Sequence, residues 1–321
     1  MIKTNMHRVL PSFAVILFLS PLFGQEPTIK VDVDLVNVLF AVHNKAGGLV
    51  GNLEKNDFSV FEDGQQQEIK YFTRETDLPL TLGLLVDVSK SQERLIEIEK
   101  QAAKSFFSHV LRKKDEAFLI SFGEDAELLQ DYTNSQRLLD EGLDRLQLSV
   151  PVGGVHPGPV PTISQMRGTI LYDAVFLAAN DQLHGQVGRK AMILITDGVD
   201  QGSRYTKQTA IETAQKADAI IYSIEYLDRS AYGLFQPNNS ALRQMSDETG
   251  GRVFHVDRKH PLDEVFQEIQ DELRSQYSIG YAPTNPKKDG TFRKIEIRTE
   301  NNKDYKVQAR KGYYALPPVK E

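Results

Sequence analysis

Cysteine is absent from the 321-residue sequence, which excludes disulfides, thiolate metal sites and cysteine nucleophiles. Positive charge is also scarce, since 38 Lys and Arg stand against 44 Asp and Glu for a net charge of −6. Nucleic acids and anionic membrane surfaces both require a basic face, so neither is expected as a partner. Long apolar runs are rarer still. The N-terminal one, residues 9–23, is broken by Pro11 and Pro21 and, at about 15 residues, falls short of the roughly 20 that span a bilayer.

That run follows Lys3 and Arg8 and precedes Gly24-Gln25-Glu26-Pro27, the layout of a secretory signal peptide over residues 1–24, cut after Gly24. The expectation is an exported protein, periplasmic, at the cell surface or secreted, with no membrane span once the leader is gone. A composition of 40% hydrophobic and 26% charged residues suits a globular chain long enough for one large domain and a smaller one. Without disulfides, its core alone must stabilise it.

Two patterns of hydrophobicity divide the rest. Between residues 30 and 72, short apolar runs such as Val31-Asp32-Val33-Asp34-Leu35 and Phe58-Ser59-Val60-Phe61 are separated by turn signals at Gly47-Gly48 and Asp63-Gly64, which predicts strands. The tail repeats the style at 277–281, 292–298 and 305–314. Neither segment is expected to be stable alone, because isolated hairpins are marginal. We therefore pair residues 28–75 and 278–316 as one small all-β sandwich.

Between them, over residues 76–277, strands alternate with helices. Strands are expected at 80–88, 117–122, 191–195, 219–226 and 253–256, and helices at 94–111, 136–146, 170–183, 205–217 and 262–273. This alternation predicts a Rossmann-like, doubly wound, mostly parallel sheet with helices on both faces. The first helix carries an apolar stripe, Leu95, Ile98, Ala102, Phe106 and Val110, whose three-to-four-residue spacing marks a packing face.

The chemistry sits at strand ends. Leu82-Gly83-Leu84-Leu85-Val86 stops at Asp87-Val88-Ser89-Lys90-Ser91, and Met192-Ile193-Leu194-Ile195-Thr196 stops at Asp197-Gly198. In an open parallel sheet, ligands bind outside the carboxyl ends of the strands, so both carboxylates should reach one edge. Every donor is a hard oxygen, which suits Mg²⁺ first, or Mn²⁺ or Ca²⁺, rather than Zn²⁺ or Cu²⁺. Two carboxylates and neutral hydroxyls leave an octahedral ion a vertex for an incoming acidic side chain. Against this stands a simpler reading, in which Ser89 and Ser91 only cap the following helix.

Asp87-x-Ser89-x-Ser91, Gly168-Thr169 and Ile195-Thr196-Asp197-Gly198 resemble the three parts of the metal-ion-dependent adhesion site of von Willebrand factor A (vWA) domains. The resemblance implies metal-site roles for Asp87, Ser89, Ser91, Thr169 and Asp197, the last usually through water. It also implies a protein partner that offers an Asp or Glu to the metal. Thr162 and Ser164 compete with Thr169 within its loop, residues 151–168, and Thr169 is preferred because it stands directly before a helical pattern. Asp173 and Asp200 are expected in solvated or capping roles. Asn56-Asp57-Phe58-Ser59-Val60-Phe61-Glu62-Asp63-Gly64, Tyr277-x-Ile279-x-Tyr281 and Arg310-Lys311-Gly312-Tyr313-Tyr314 add a narrower resemblance to the bacterial secreted VWFA-related family.

No enzymatic activity is expected. The sequence has no P-loop, His-Glu-x-x-His, Gly-x-Ser-x-Gly or Gly-rich dinucleotide turn after Asp87. His109, His156, His184, His255 and His260 lack any motif context that would make one a base for a serine nucleophile. A haloacid dehalogenase-like phosphatase normally places a second aspartate two residues after the first, where this chain has Ser89. A metal-dependent adhesion or assembly module is the favoured reading, and a structural protein with a vestigial or merely stabilising site is the alternative.

Overall fold

A buried parallel sheet governs the architecture of the protein in the computed structural model, which describes residues 35–74, 78–149, 168–227, 239–300 and 302–317. All of these fall within the unit Asp34–Glu321. The expected signal peptide and the loop residues Thr162 and Ser164 lie outside the described residues.

Fourteen strands are described, and six of them build the sheet. Strand β5 (Leu80–Asp87) is buried at every position, as a strand covered on both faces must be. It pairs in parallel with β6 (Glu116–Phe122) on one side and β8 (Arg189–Thr196) on the other. Strand β9 (Ala219–Glu225) and then β10 (Val253–His255) extend the sheet beyond β8, also in parallel. The opposite edge is β7 (Ala126–Thr133), antiparallel to β6. The order is therefore β10-β9-β8-β5-β6-β7.

Side chains alternate across this sheet with the two-residue period of a strand. Ile193 and Ile195 join one core with helices α1 (Ile96–Val110), α2 (Gln136–Asp144) and α6 (Leu262–Arg274). Met192 and Leu194 join a second core with α3 (Leu171–Leu177), α4 (Lys207–Lys216) and α5 (Ser240–Thr249). At Gly83 an added Cβ would lie 2.3 Å from the Phe118 ring, so the missing side chain lets that ring cross the strand.

The terminal segments interleave as predicted. One sheet runs β13 (Lys306–Ala309), β1 (Val36–His43), β11 (Tyr277–Tyr281), β4 (Ile69–Arg74), and the other runs β14 (Gly312–Tyr314), β12 (Phe292–Thr299), β2 (Phe58–Glu62), β3 (Gln65–Gln67). Val38 pairs with Ile279 and Val60 with Ile297, so each sheet joins early chain to late chain. Both sheets face one core, where Tyr277 stacks on Phe40 and Phe72, and Phe58 meets Phe40 edge-on. The inserted α/β unit leaves after Arg74 and returns at Tyr277, and these two residues are cross-strand partners. The insertion thus enters and exits at one point.

A buried polar group pins the sandwich. Glu62 accepts the hydroxyls of Tyr281 at 2.9 Å and Tyr313 at 3.0 Å, and pairs with Arg293 at 3.3 Å. Arg293 is only 1% exposed and also donates to the Asn285 carbonyl at 2.7 Å. A second buried group ties the sandwich to the α/β unit: Glu272 on α6 accepts from Arg252 at 2.9 Å and from Gln308 at 2.8 Å.

Three details depart from the sequence-based expectation. The expected elements omit β7 and α5, and Ile98 is 51% exposed instead of joining the stripe of α1. Glu99, its neighbour, occupies the buried face. Strand β7 has a mostly exposed pattern, so it lacks the strong apolar alternation that marks a core strand.

Replacing Glu62 with Ala strands a buried guanidinium and should destabilise the protein by about 3–5 kcal/mol. Urea unfolding monitored by circular dichroism measures this, and a cost below about 1 kcal/mol, the scale of an exposed pair, would show the group to be dispensable.

Candidate metal centre

The strand order changes direction between β5 and β8. From β5 the chain adds β6 and β7 on one side, and from β8 it adds β9 and β10 on the other. Such a switch point opens a crevice outside the carboxyl ends of the two strands, because their following loops part to opposite faces. Asp87 is the last residue of β5, Thr196 the last of β8, and Asp197 follows it.

Hydrogen bonds draw the two loops together there. Asp87 Oδ1 accepts the Ser89 N–H at 2.9 Å, which folds the chain back on itself. Asp87 Oδ2 accepts the Thr196 hydroxyl at 2.6 Å. Asp197 Oδ1 accepts the Val199 N–H at 3.0 Å, and its Oδ2 accepts the Ser91 hydroxyl at 2.6 Å. The Ser89 and Ser91 hydroxyl oxygens are 2.9 Å apart. Gly198 makes the second turn possible with φ +82°, and a Cβ there would lie 2.9 Å from Leu242.

Four of the five predicted residues, Asp87, Ser89, Ser91 and Asp197, therefore form one connected cluster. Thr169 stands at the same edge of the sheet but is held by its backbone. Its carbonyl accepts the Gln201 N–H at 2.9 Å and the Gly202 N–H at 3.2 Å, while the Ile170 N–H reaches the Gly123 carbonyl at 2.9 Å. The hydrogen bonds that join the other four do not include its hydroxyl. The capping alternative fails on geometry, because neither the Ser89 position nor the first turn of α1 has a side-chain cap.

Asp173 and Asp200, expected in solvated or capping roles, both accept backbone N–H groups. Asp173 accepts the Arg204 and Tyr205 N–H groups at 2.8 and 2.9 Å, and Asp200 accepts the Tyr172 N–H at 3.3 Å. Two residues of the centre escaped the sequence reading. Thr196 is one, although its place beside Asp197 at the end of a buried strand was a usable signal. Glu99 is the other: it is 1% exposed, and among the described residues neither carboxyl oxygen has a hydrogen-bond partner.

Electrostatics explain what the cluster lacks. Asp87 is fully buried and has no ion pair among the described residues. Burial first, and the nearby Asp197 second, push its carboxyl up to about 7. Glu99 is raised in the same direction, again by burial and then by Asp87. Two adjacent carboxylates and three hydroxyls supply hard oxygen donors, the set a small divalent cation takes. Among the described residues no group of three His, Cys, Asp or Glu side chains converges, so the hydroxyls are indispensable to any such site.

The sheet order, the antiparallel edge strand and these loop-borne oxygens at the switch point coincide. The α/β unit has the Rossmann-like, doubly wound, mostly parallel sheet that the sequence predicts. No known family profile matches the chain. An uncharacterized protein of Borreliella burgdorferi is 24% identical over 245 residues, 72% of this chain and 62% of that protein, so the match spans under two thirds of the relative. Similar solved structures include a von Willebrand factor type A protein from Catenulispora acidiphila, with TM-score 0.45 and 14% identity over 88% of this chain and 73% of that one. BatB from Bacteroides thetaiotaomicron gives 0.43 and 18% over 60% and 97%. The mussel byssus protein PTMP1, solved with a zinc-occupied MIDAS motif, gives 0.49 and 13% over 66% and 50%.

Because the folded α/β unit holds Asp87 protonated up to about 7 while an unfolded aspartate ionises near 3.8, the native state carries the extra proton between these values. Stability in EDTA should consequently fall as pH rises through that window. Thermal melts from pH 4 to 7.5 should show a shallower fall for Asp87→Asn, and an unchanged slope would contradict the assignment.

Proposed function

We propose that the protein is a metal-ion-dependent protein-binding module, serving adhesion or assembly outside the cytoplasm. The observation that carries this reading is the convergence of Asp87, Ser89, Ser91 and Asp197 at the switch point of the sheet. These four residues would hold the ion, with Thr169 beside them. Mg²⁺ is the favoured ion, and Mn²⁺ or Ca²⁺ meets the same donors.

A bound dication supplies a Lewis-acidic vertex that accepts a carboxylate. The chain's part is to neutralise the ion without saturating it. Asp87 and Asp197 together match a charge of +2, whereas serine and threonine hydroxyls add none. The ion therefore stays attractive to an Asp or Glu of the partner. Export rests on the signal-like N-terminus, and no helix among the described residues is long and apolar enough to cross a membrane.

One observation favours a second reading. The bonds from Ser91 to Asp197 and from Thr196 to Asp87 already hold the loops together, so the cluster also suits a structural protein whose site is vestigial or only stabilising. Metal dependence separates the two. Mg²⁺ at 100 times its dissociation constant should stabilise the wild type by about 2.7 kcal/mol and leave Asp87→Ala unmoved in a thermal melt. EDTA and Asp87→Ala should each abolish capture of a partner from an extracytoplasmic extract without unfolding the chain. Capture that survives both treatments would transfer the assignment to the structural reading.

A further inference from the structure

Beside the metal turn lies a groove of about 1280 Å³ between α1 and the segment that leads from β10 into α6. Leu95, Ile98 and Ala102 of the α1 segment form one wall, and Tyr226, Val256 and Leu262 contribute to the rest. It exceeds the roughly 300–1,000 Å³ of ordinary small-molecule pockets and suits a stretch of polypeptide. Its inner end adjoins the metal centre. The Tyr226 N–H donates to the Thr196 carbonyl at 3.1 Å, and the Gln92 side chain donates to the Tyr226 carbonyl at 3.3 Å. Tyr226 lies just beyond β9, two strand spacings or about 10 Å from β5.

Two features of the groove lack an internal explanation. Ile98 leaves the packing face of α1 and is 51% exposed, although a lone polar residue there would cost nothing. Arg258 and Lys259 also line it, both exposed, and neither forms an ion pair among the described residues. The acids nearby are differently engaged. Glu97 pairs with Lys100 at 2.8 Å, and Asp257 accepts the Lys259 and His260 N–H groups at 2.7 and 3.0 Å. Asp263 sits in the first turn of α6, where the helix dipole favours a negative charge.

We propose that the partner segment docking at the metal centre continues into this groove, placing apolar side chains against Ile98 and Leu262 and a second carboxylate on Arg258 and Lys259. The partner is thus an acidic and apolar peptide stretch, with its two acids separated by the apolar residues. This inference rests on the metal-docking reading above. The occupant follows from charge and hydropathy together: a dication beside one end and the exposed Arg258 and Lys259, set among the lining acids Glu97, Asp257 and Asp263, offer sites for acids, and Ile98 and Leu262 offer an apolar surface. Displacing water from that floor supplies the affinity that a carboxylate on a metal cannot supply alone.

A random peptide library displayed on phage, panned on the full chain in Mg²⁺ and eluted with EDTA, tests this. The recovered peptides should carry an acid, an apolar stretch and a second acid. Synthetic copies should bind roughly tenfold or more weakly to Ile98→Lys and to the double variant Arg258→Glu with Lys259→Glu. Calorimetry should give both variants the wild-type Mg²⁺ affinity, which separates groove damage from metal-site damage. Peptides that elute with EDTA yet bind the groove variants as tightly as wild type would overturn the groove while sparing the metal reading. Recovery only by acid elution, insensitive to EDTA, would overturn both. Self-association in sedimentation that Ile98→Lys abolishes would assign the groove to a second copy and also overturn the proposal.

Discussion

Two carboxylates that end adjacent central strands impose the main constraint on this protein. Burying Asp87 next to Asp197 is unfavourable, since burial first and the neighbouring carboxylate second disfavour its charged form. The fold contains that cost with a small set of short bonds: Thr196 to Asp87, Ser91 to Asp197, and an N–H from each following turn. Those bonds need β5 and β8 side by side and their loops parting at the same edge. The sheet order provides this arrangement, and the two helical layers keep its strands dry.

The sandwich holds the α/β unit by its ends. Arg74 and Tyr277 are paired across strands, so the inserted unit begins and finishes at one ladder rung. Glu272 then joins α6 to Arg252 and to Gln308 of the sandwich. The candidate metal centre lies at the carboxyl edge of the sheet, whereas Pro79, next to the entry point, accepts the Arg189 N–H at the opposite edge. The scaffold and the candidate binding edge are thereby separated along the strands.

Much of this was legible in the sequence because periodicity and strand-end chemistry are local. The buried run before Asp87 and the one before Asp197 marked the two central strands, and the hard oxygens at their ends marked the cluster that forms there. Strand β7 was not legible, because its exposed face dilutes the apolar alternation. Ile98 was misread for a related reason: spacing alone placed it on the packing face, while burial places Glu99 there. Burial of a glutamate is a tertiary event that no helical period announces. The role of Thr169 divides in the same way, since its position before α3 was readable and its side-chain geometry was not.

The central claim concerns where a cation sits. Crystals of the protein grown in Mn²⁺ and measured at the manganese absorption edge test it most directly. One anomalous peak should appear within coordination distance of oxygens from Asp87, Ser89 and Ser91, with Asp197 beside it, and the Asp87→Ala crystal should lack it. A peak elsewhere, or none between β5 and β8 at saturating Mn²⁺, would contradict the account.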